Sequence, residues 1–382
     1  MTENPADGNG AAPEPPKPAR RRTSPKVSTA ARASASQGAK ASQAKPAKKR
    51  INLALQGGGA HGAFTWGVID RLMEDGRIEI EGISGTSAGA ANAAVTAYGL
   101  AQNGAEGARA TLKRFWSKIS EAGRMSPLQA TIIDKLFSPG NMDFSPFYRF
   151  YDNLSRVMSP YQLNPVNMNP LRDVLAEVLD CPTVNKTNAV KLFICATNVC
   201  NGKIKVFKNE EISYDAILAS ACLPFLFQAV EIEGEYYWDG GYMGNPPLYP
   251  LIYGTETADV LIIQINPIKI DELPTSATAI FDRVNTLSFN SSLMREMRAI
   301  QFVSNLIDNN ALDPARYKDL KIHTVDAEAE MGELGVSSKF NLDWEFLSYL
   351  FDLGRTRADA FLKAHFDKIG VESSVDIKEK FL

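Results

Sequence analysis

Within Gly85-Thr86-Ser87-Ala88-Gly89 a serine stands two residues from a glycine on either side. This G-x-S-x-G spacing is the form in which a strand turns abruptly into a helix with serine at the apex. The apex residue takes a strained backbone conformation, and side chains two positions before and after it would collide, so Gly85 and Gly89 suit the turn. A hydroxyl held there points out of the sheet at a helix N-terminus, where unpaired N–H groups and the helix dipole stabilise an oxyanion. Alone the motif is weak, because a chain of this length shows one by chance roughly one time in ten. Its other reading is an ordinary Gly-rich turn in which Ser87 caps a helix.

A second cluster, Gly57-Gly58-Gly59-Ala60-His61-Gly62, also follows an apolar run and opens a periodic one. Gly57, Gly59 and Gly62 satisfy G-x-G-x-x-G, which suggests a dinucleotide loop. Such a loop needs an acidic residue about 20 positions on, at the end of the second strand. That strand instead ends in GISGTSAG, with Glu79 and Glu81 within or before it, which weakens the nucleotide reading. The alternative is that the glycine N–H groups form a second wall of an oxyanion hole beside the serine turn.

Asp239-Gly240-Gly241 follows the strand-like EGEYYW and so puts a carboxylate at a strand's C-terminal end, where the sites of open α/β sheets gather. Taken in isolation, DGG reads better as an Asx-type turn. The chain has three histidines: His61 inside the glycine loop, His323 inside LKIHTV and His365 in a C-terminal amphipathic helix. A Ser-His-Asp triad would have to recruit one of them. Neither His323 nor His365 lies at a turn after a strand, so both read as packed or surface imidazoles.

The elements that must position these residues follow from hydrophobic periodicity. INLALQ reads as a buried strand, GGGAHG as a turn and residues 63–73 as a helix; IEIEGIS, GTSAG and AANAAVTAYGL repeat that order. Two such units in succession predict an α/β fold with a largely parallel sheet. KLFICATNV, IKVF, AVEIEGEYYW, DVLIIQI and LKIHTV read as further strands, and residues 213–221, 276–307 and 343–366 as helices. Their mixed connection lengths predict a mixed sheet. Residues 121–170 break the alternation with six prolines and a high density of Met, Phe and Tyr. This insertion is either a packed surface excursion or a lid or acyl-chain wall.

Bulk composition narrows the class. A chain of 382 residues, 45% hydrophobic, can bury one large core or two modest ones. Cys181, Cys195, Cys200 and Cys222 have no zinc-ligand spacing and are too sparse for a disulfide framework, which fits a reducing compartment. No secretory-signal pattern is evident. Apolar stretches such as residues 216–227, which contain Pro224, fall short of the roughly 20 residues of a membrane span. A cytoplasmic location with at most peripheral membrane contact is expected. Residues 1–50 hold 11 Lys and Arg against 3 Asp and Glu, a net of +8, whereas the remainder holds 30 against 41, a net of −11. The Ala/Pro/Ser/Lys-rich tail should be disordered, and it either docks on an anionic membrane or serves as a passive linker. Without interleaved aromatics it offers no specific nucleic-acid recognition.

GGGAHG, GTSAG and DGG, in this order, resemble the three signatures of patatin-like phospholipases, and ASACLPFLFQAVEIEGEYYWDGG resembles the segment that leads to that family's aspartate. The resemblance divides the chain into the tail at 1–50, a catalytic domain at 51–310 and a strand and helical extension at 311–382 packing on the same domain. It implies a three-layer α/β/α fold with a central mixed, largely parallel sheet, and chemistry with no metal or cofactor. It further implies a Ser-Asp dyad, with Ser87 as nucleophile and Asp239 as proton acceptor. The N–H groups of Gly58, Gly59 and Ala88 would then hold the oxyanion, while Gly57, Gly62, Gly85, Gly89, Gly240 and Gly241 shape the motifs. The family's glycine loop usually carries Arg or Lys where this chain has His61, which would make the charge beside the oxyanion depend on pH.

The function so implied is serine acyl hydrolysis of the lipase or phospholipase A type on a lipid or acyl-ester substrate. The dyad is equally compatible with an esterase or depolymerase for neutral lipid or storage polyester. A non-catalytic lipid-binding scaffold is the contrasting reading, against which intact Ser87 and Asp239 argue. Phe225, Leu226 and Phe227 read either as part of an acyl groove or as buried core.

Overall fold

The computed structural model describes residues 48–270, 272–313 and 315–382, so the basic tail lies, except for its last three residues, outside the described residues. β1 (Lys49–Leu55) is buried on both faces, as a central parallel strand must be. A single 3-10 turn (Gly59–His61) leads into α1 (Gly62–Asp75), and β2 (Ile78–Thr86) runs into α2 (Ala88–Arg124). The helix that begins in the Ala-rich run thus continues far beyond it, broken only at Asn103 (φ −151°) and Gly104 (φ 58°). It absorbs the first residues of the 121–170 excursion. The rest of that excursion winds into α3 (Ile132–Phe137), α4 (Pro146–Ser155) and α5 (Pro160–Leu163), ahead of α6 (Pro170–Val178) and α7 (Cys181–Lys186). Its prolines start helices: Pro146, Pro160 and Pro170 each occupy a first turn, where the missing N–H would have had no partner.

β3 (Lys191–Asn198), β4 (Ile204–Lys208) and α8 (Tyr214–Ser220) follow. AVEIEGEYYW forms a hairpin rather than one strand. β5 (Val230–Ile232) and β6 (Glu235–Asp239) pair antiparallel across Glu233 (φ 53°) and Gly234 (φ 82°), two positive-φ residues of the kind a tight hairpin turn demands. The chain continues through α9 (Tyr249–Gly254), β7 (Asp259–Ile263), α10 (Ala277–Asp308) and β8 (Lys321–Val325), and ends with α11 (Glu328–Gly332), α12 (Trp344–His365) and α13 (Ile377–Phe381). The strands form one sheet in the order β5-β6-β3-β2-β1-β7-β8, with β4 also paired to β3. β3, β2, β1, β7 and β8 are parallel, whereas β4, β5 and β6 are antiparallel.

Alternate strand residues face opposite layers. Leu53, Leu55, Ile83, Ile194, Leu261 and Ile263 pack with α1, α2 and α12, while Ala54, Phe193, Val260, Ile262 and Ile322 pack with residues of α10 and α13. The result is a three-layer α/β/α sandwich. α12 lies on α1 at backbone distance: a Cβ on Gly67 would overlap the Phe351 carbonyl, and one on Gly354 would overlap that of Phe64. Trp66 packs its ring 4.0 Å from Phe351 in the same seam.

Gly354→Ala should therefore destabilise the protein by about 1–3 kcal/mol through overpacking. Gly332→Ala, where nothing lies within 4 Å of the added carbon, should be near neutral. Denaturant melts of the two variants against the parent provide the measurement.

Candidate active site

Ser87 sits between β2 and α2 with φ 55° and ψ −121°, a conformation that costs a non-glycine residue about 1–3 kcal/mol and persists only when its surroundings impose it. Here they do. The Ser87 N–H donates to Ser220 Oγ at 2.9 Å, Thr86 Oγ1 donates to the Gly244 carbonyl at 2.6 Å, and Ser84 Oγ donates to that of Pro247 at 2.6 Å. The motif glycines are required by close approach. A Cβ on Gly85 would lie 2.5 Å from the Gly89 carbonyl oxygen, and one on Gly89 would overlap the Leu55 carbonyl at the end of β1.

The glycine loop lies against this elbow. A Cβ on Gly57 would meet Ser87 Cβ at 2.7 Å, and one on Gly62 would meet Ala88 Cβ at 2.8 Å. The Gly57 N–H donates to Asn245 Oδ1 at 2.7 Å, and its carbonyl accepts from Asn266 Nδ2 at 2.8 Å. Gln56 Oε1 accepts from the N–H groups of Ile265 and Asn266, each at 2.9 Å, which fixes the loop to the end of β7. Among the described residues, the N–H groups of Gly58, Gly59 and Ala88 have no hydrogen-bond partner.

Asp239 ends β6 and is fully buried. Its N–H donates to the Cys222 carbonyl at 2.8 Å, and its Oδ1 accepts from the Gly241 N–H at 2.7 Å. The Asx-type turn expected of DGG is therefore present, and it uses one carboxylate oxygen. Oδ2 makes no well-formed hydrogen bond, and the Ser87 hydroxyl lies near enough to favour the ionised carboxylate. Burial pushes the Asp239 pKa up to about 7, against the opposing pull of the Gly241 N–H, the Ser87 hydroxyl and Lys339. Gly240 and Gly241 are again demanded by space, because a Cβ on either would overlap the Cys195 carbonyl or the Phe289 ring.

The histidines stand apart. His61 is buried and shares a 2.7 Å hydrogen bond between Nε2 and Ser338 Oγ. Burial, and then the neighbouring Lys339 charge, hold its pKa down to about 3. Burial thus favours the neutral imidazole at this position. His323 Nε2 pairs with Asp259 Oδ1 at 3.0 Å, at the start of β7. His365 lies at the end of α12. No histidine is hydrogen-bonded to Ser87 or Asp239 among the described residues.

Sequence reading missed Ser220, Asn245, Asn266 and Lys339. Gln56 and Asn266 were visible as polar residues closing the apolar runs INLALQ and DVLIIQIN. Lys339 had no such signal. It comes from a 3-10 turn (Val336–Phe340), where its Nζ donates to Asn266 Oδ1 at 2.8 Å.

Serine on a strand-to-helix elbow beside glycine N–H groups is the arrangement of acyl hydrolases. Within that class the sequence is specific: residues 53–252 match the patatin-like phospholipase family, and the chain belongs to it. It is a lipid ester hydrolase. Among solved structures the chain is similar to VipD from Legionella pneumophila, with 16% identity over 87% of this chain and 73% of that one at a TM-score of 0.39. It is also similar to the type III effector protein ExoU, with 15% identity over 83% of this chain and 53% of that one at a TM-score of 0.31. No curated protein matches it. Among the described residues, no helix is long and apolar enough to cross a membrane.

A carboxyl whose pKa rises on folding stabilises the fold less as pH climbs from its unfolded value through its folded one. For Asp239 that window runs from the ordinary aspartate value to about 7. Asp239→Asn should accordingly gain stability over the parent as pH rises through this range, by about 1–4 kcal/mol above pH 7. Paired denaturant melts at pH 5 and pH 8 would show the gain, and an equal difference at both would contradict it.

Proposed function

We propose that the chain hydrolyses carboxylic esters of lipids through an acyl-enzyme on Ser87, with Asp239 as the base. The observation that carries this reading is the divided carboxylate of Asp239: one oxygen is held by Gly241, the other is buried without a well-formed bond, and the Ser87 hydroxyl lies near enough to favour the ionised form. As the Ser87 oxygen attacks the ester carbonyl, its proton passes to Asp239. The carbonyl oxygen becomes an oxyanion received by the unpaired N–H groups of Gly58, Gly59 and Ala88. The Ser87 N–H is excluded from that role because Ser220 already accepts it. Collapse of the tetrahedral intermediate breaks the bond to the alcohol, which leaves with the proton from Asp239. A water then gives its proton to Asp239 and attacks the acyl carbonyl. The second collapse releases the fatty acid and returns the proton to Ser87.

The lipid approaches over the 121–170 excursion. α4 packs beside the turn that carries Lys339, with Tyr148 6.0 Å from Phe340, and Arg156 stacks 4.5 Å over the Phe281 ring of α10. Phe147 and Phe150 on α4, Ile132 and Phe137 on α3, and Val284 on α10 all expose more than half of their surface. Apolar area of this extent beside a site marks a contact surface for an apolar partner.

Ser87→Ala and Asp239→Asn should each lower kcat by at least about 1,000-fold, with the double variant no worse than either, because the two groups act as one unit. The kcat/KM of the parent should fall as pH drops through about 7, where Asp239 takes up a proton. His323→Ala and His365→Ala should stay within a few-fold of the parent. Near-normal turnover by Asp239→Asn would remove the dyad, and loss of turnover in a folded histidine variant would replace it with a triad.

The paired change Phe147→Asp and Phe150→Asp should reduce hydrolysis of phospholipid in vesicles at least about tenfold. Hydrolysis of a soluble short-chain ester should remain within twofold. Equal losses on both substrates would assign α4 a structural role alone.

A further inference from the structure

Lys339 lies behind the glycine loop, and the dyad reading gives it no part. Its backbone carbonyl is so close to Gly59 that a Cβ there would overlap it, so the turn that carries Lys339 underlies the loop directly. Its ammonium donates to Asn266 Oδ1, and the amide of the same Asn266 donates to the Gly57 carbonyl. One side chain thus couples the cation to the loop. The groups that face the ammonium come from three further elements: Asp239 at the end of β6, Asp282 on α10 and the neutral His61 at the start of α1. It forms no ion pair with either carboxylate within 4 Å, and it acts on both through space. For Asp239 it is the one charged side chain that favours the ionised form.

We propose that Lys339 is an electrostatic positioning residue of this site: held by Asn266, its ammonium keeps Asp239 as the carboxylate and adds positive potential behind the Gly58 and Gly59 donors as the oxyanion forms. It touches neither Ser87 nor the substrate. The inference rests on the dyad reading and adds to it a cation supplied by the C-terminal extension. Burial lowers the Lys339 pKa to about 8, so the cation is present at neutral pH and fades above it. The same burial pushes both groups toward their neutral forms, so the charge on each helps to keep the charge on the other.

The test is a pH profile of kcat/KM on a soluble short-chain ester for the parent, Lys339→Met and Lys339→Arg. Circular dichroism and thermal melts verify folding. An opposite charge nearby favours ionisation, so its removal in Lys339→Met should move the acid limb upward by about 1 pH unit. Lys339→Arg should keep the parent's acid limb and lose the decline that begins near pH 8. A folded Lys339→Met that loses rate at every pH without moving the acid limb would reduce Lys339 to a structural prop and overturn the proposal. An unchanged profile would also overturn it. If Lys339→Met does not fold, the alkaline limb of Lys339→Arg decides, and persistence of the decline counts against the idea. Asp239→Asn in the same assay separates the two readings. Activity in that variant breaks the dyad whatever Lys339 does, whereas an inactive Asp239→Asn with an unmoved acid limb in Lys339→Met sinks this inference alone.

Discussion

The loops that follow the paired strands β1 and β2 pack so closely that their contact points cannot carry side chains. Gly89 lies on the Leu55 carbonyl, Gly57 on Ser87 Cβ and Gly85 on the Gly89 carbonyl. This crowding holds Ser87 at φ 55° and turns its hydroxyl out of the sheet. It also brings the Gly58 and Gly59 N–H groups beside the elbow, so one steric constraint sets both the strained serine and the donors next to it. Neither loop could be relaxed by itself. A side chain on one would displace the other, which is why two separate glycine clusters behave as a single element.

The electrostatics of the site follow from how little water reaches it. Asp239 is fully buried with one oxygen committed to Gly241. In such a place a carboxylate is expensive to keep charged, and its pKa rises. Lys339 is driven the opposite way by the same desolvation. Two unlike charges that each resist ionisation support one another without a direct ion pair, and Asp239 Oδ2 is left without a hydrogen bond. A tight ion pair between them would have tied up that oxygen.

Features made by backbone crowding were legible in the sequence, because crowding selects glycine and glycine can be read. The elbow at Ser87, the turn at Asp239 and both glycine loops were legible that way, as were the parallel strands, whose burial on both faces leaves unbroken apolar runs. The β5–β6 hairpin was hidden in AVEIEGEYYW because its turn is only Glu-Gly, and glutamates at alternate positions on both sides of it read as one half-buried strand. The length of α2 was hidden because the strong Ala pattern ends long before the helix does. The burial of His61 was not legible for a different reason: a histidine's charge depends on its surroundings, and no local pattern reports those. Lys339 was illegible altogether, since a lysine in SSKF is indistinguishable from a surface residue until the chain brings it behind a loop some 280 positions earlier.

That distance along the chain bears on what the C-terminal extension does. The family match ends at residue 252, yet β8 completes the parallel sheet and α12 meets α1 backbone to backbone through Gly67 and Gly354. α1 begins at Gly62, the last residue of the glycine loop, so the seam with α12 fixes one end of that loop. Asn266 and the 336–340 turn brace the other end and its middle. A loop whose N–H groups must point at a fixed spot gains most from supports that are themselves rigid. The extension supplies two of them and a cation besides. The 336–340 turn and α12 thus meet the motif-bearing segment at Gly59 and Gly67, so the support of the glycine loop extends beyond the segment that carries the motifs.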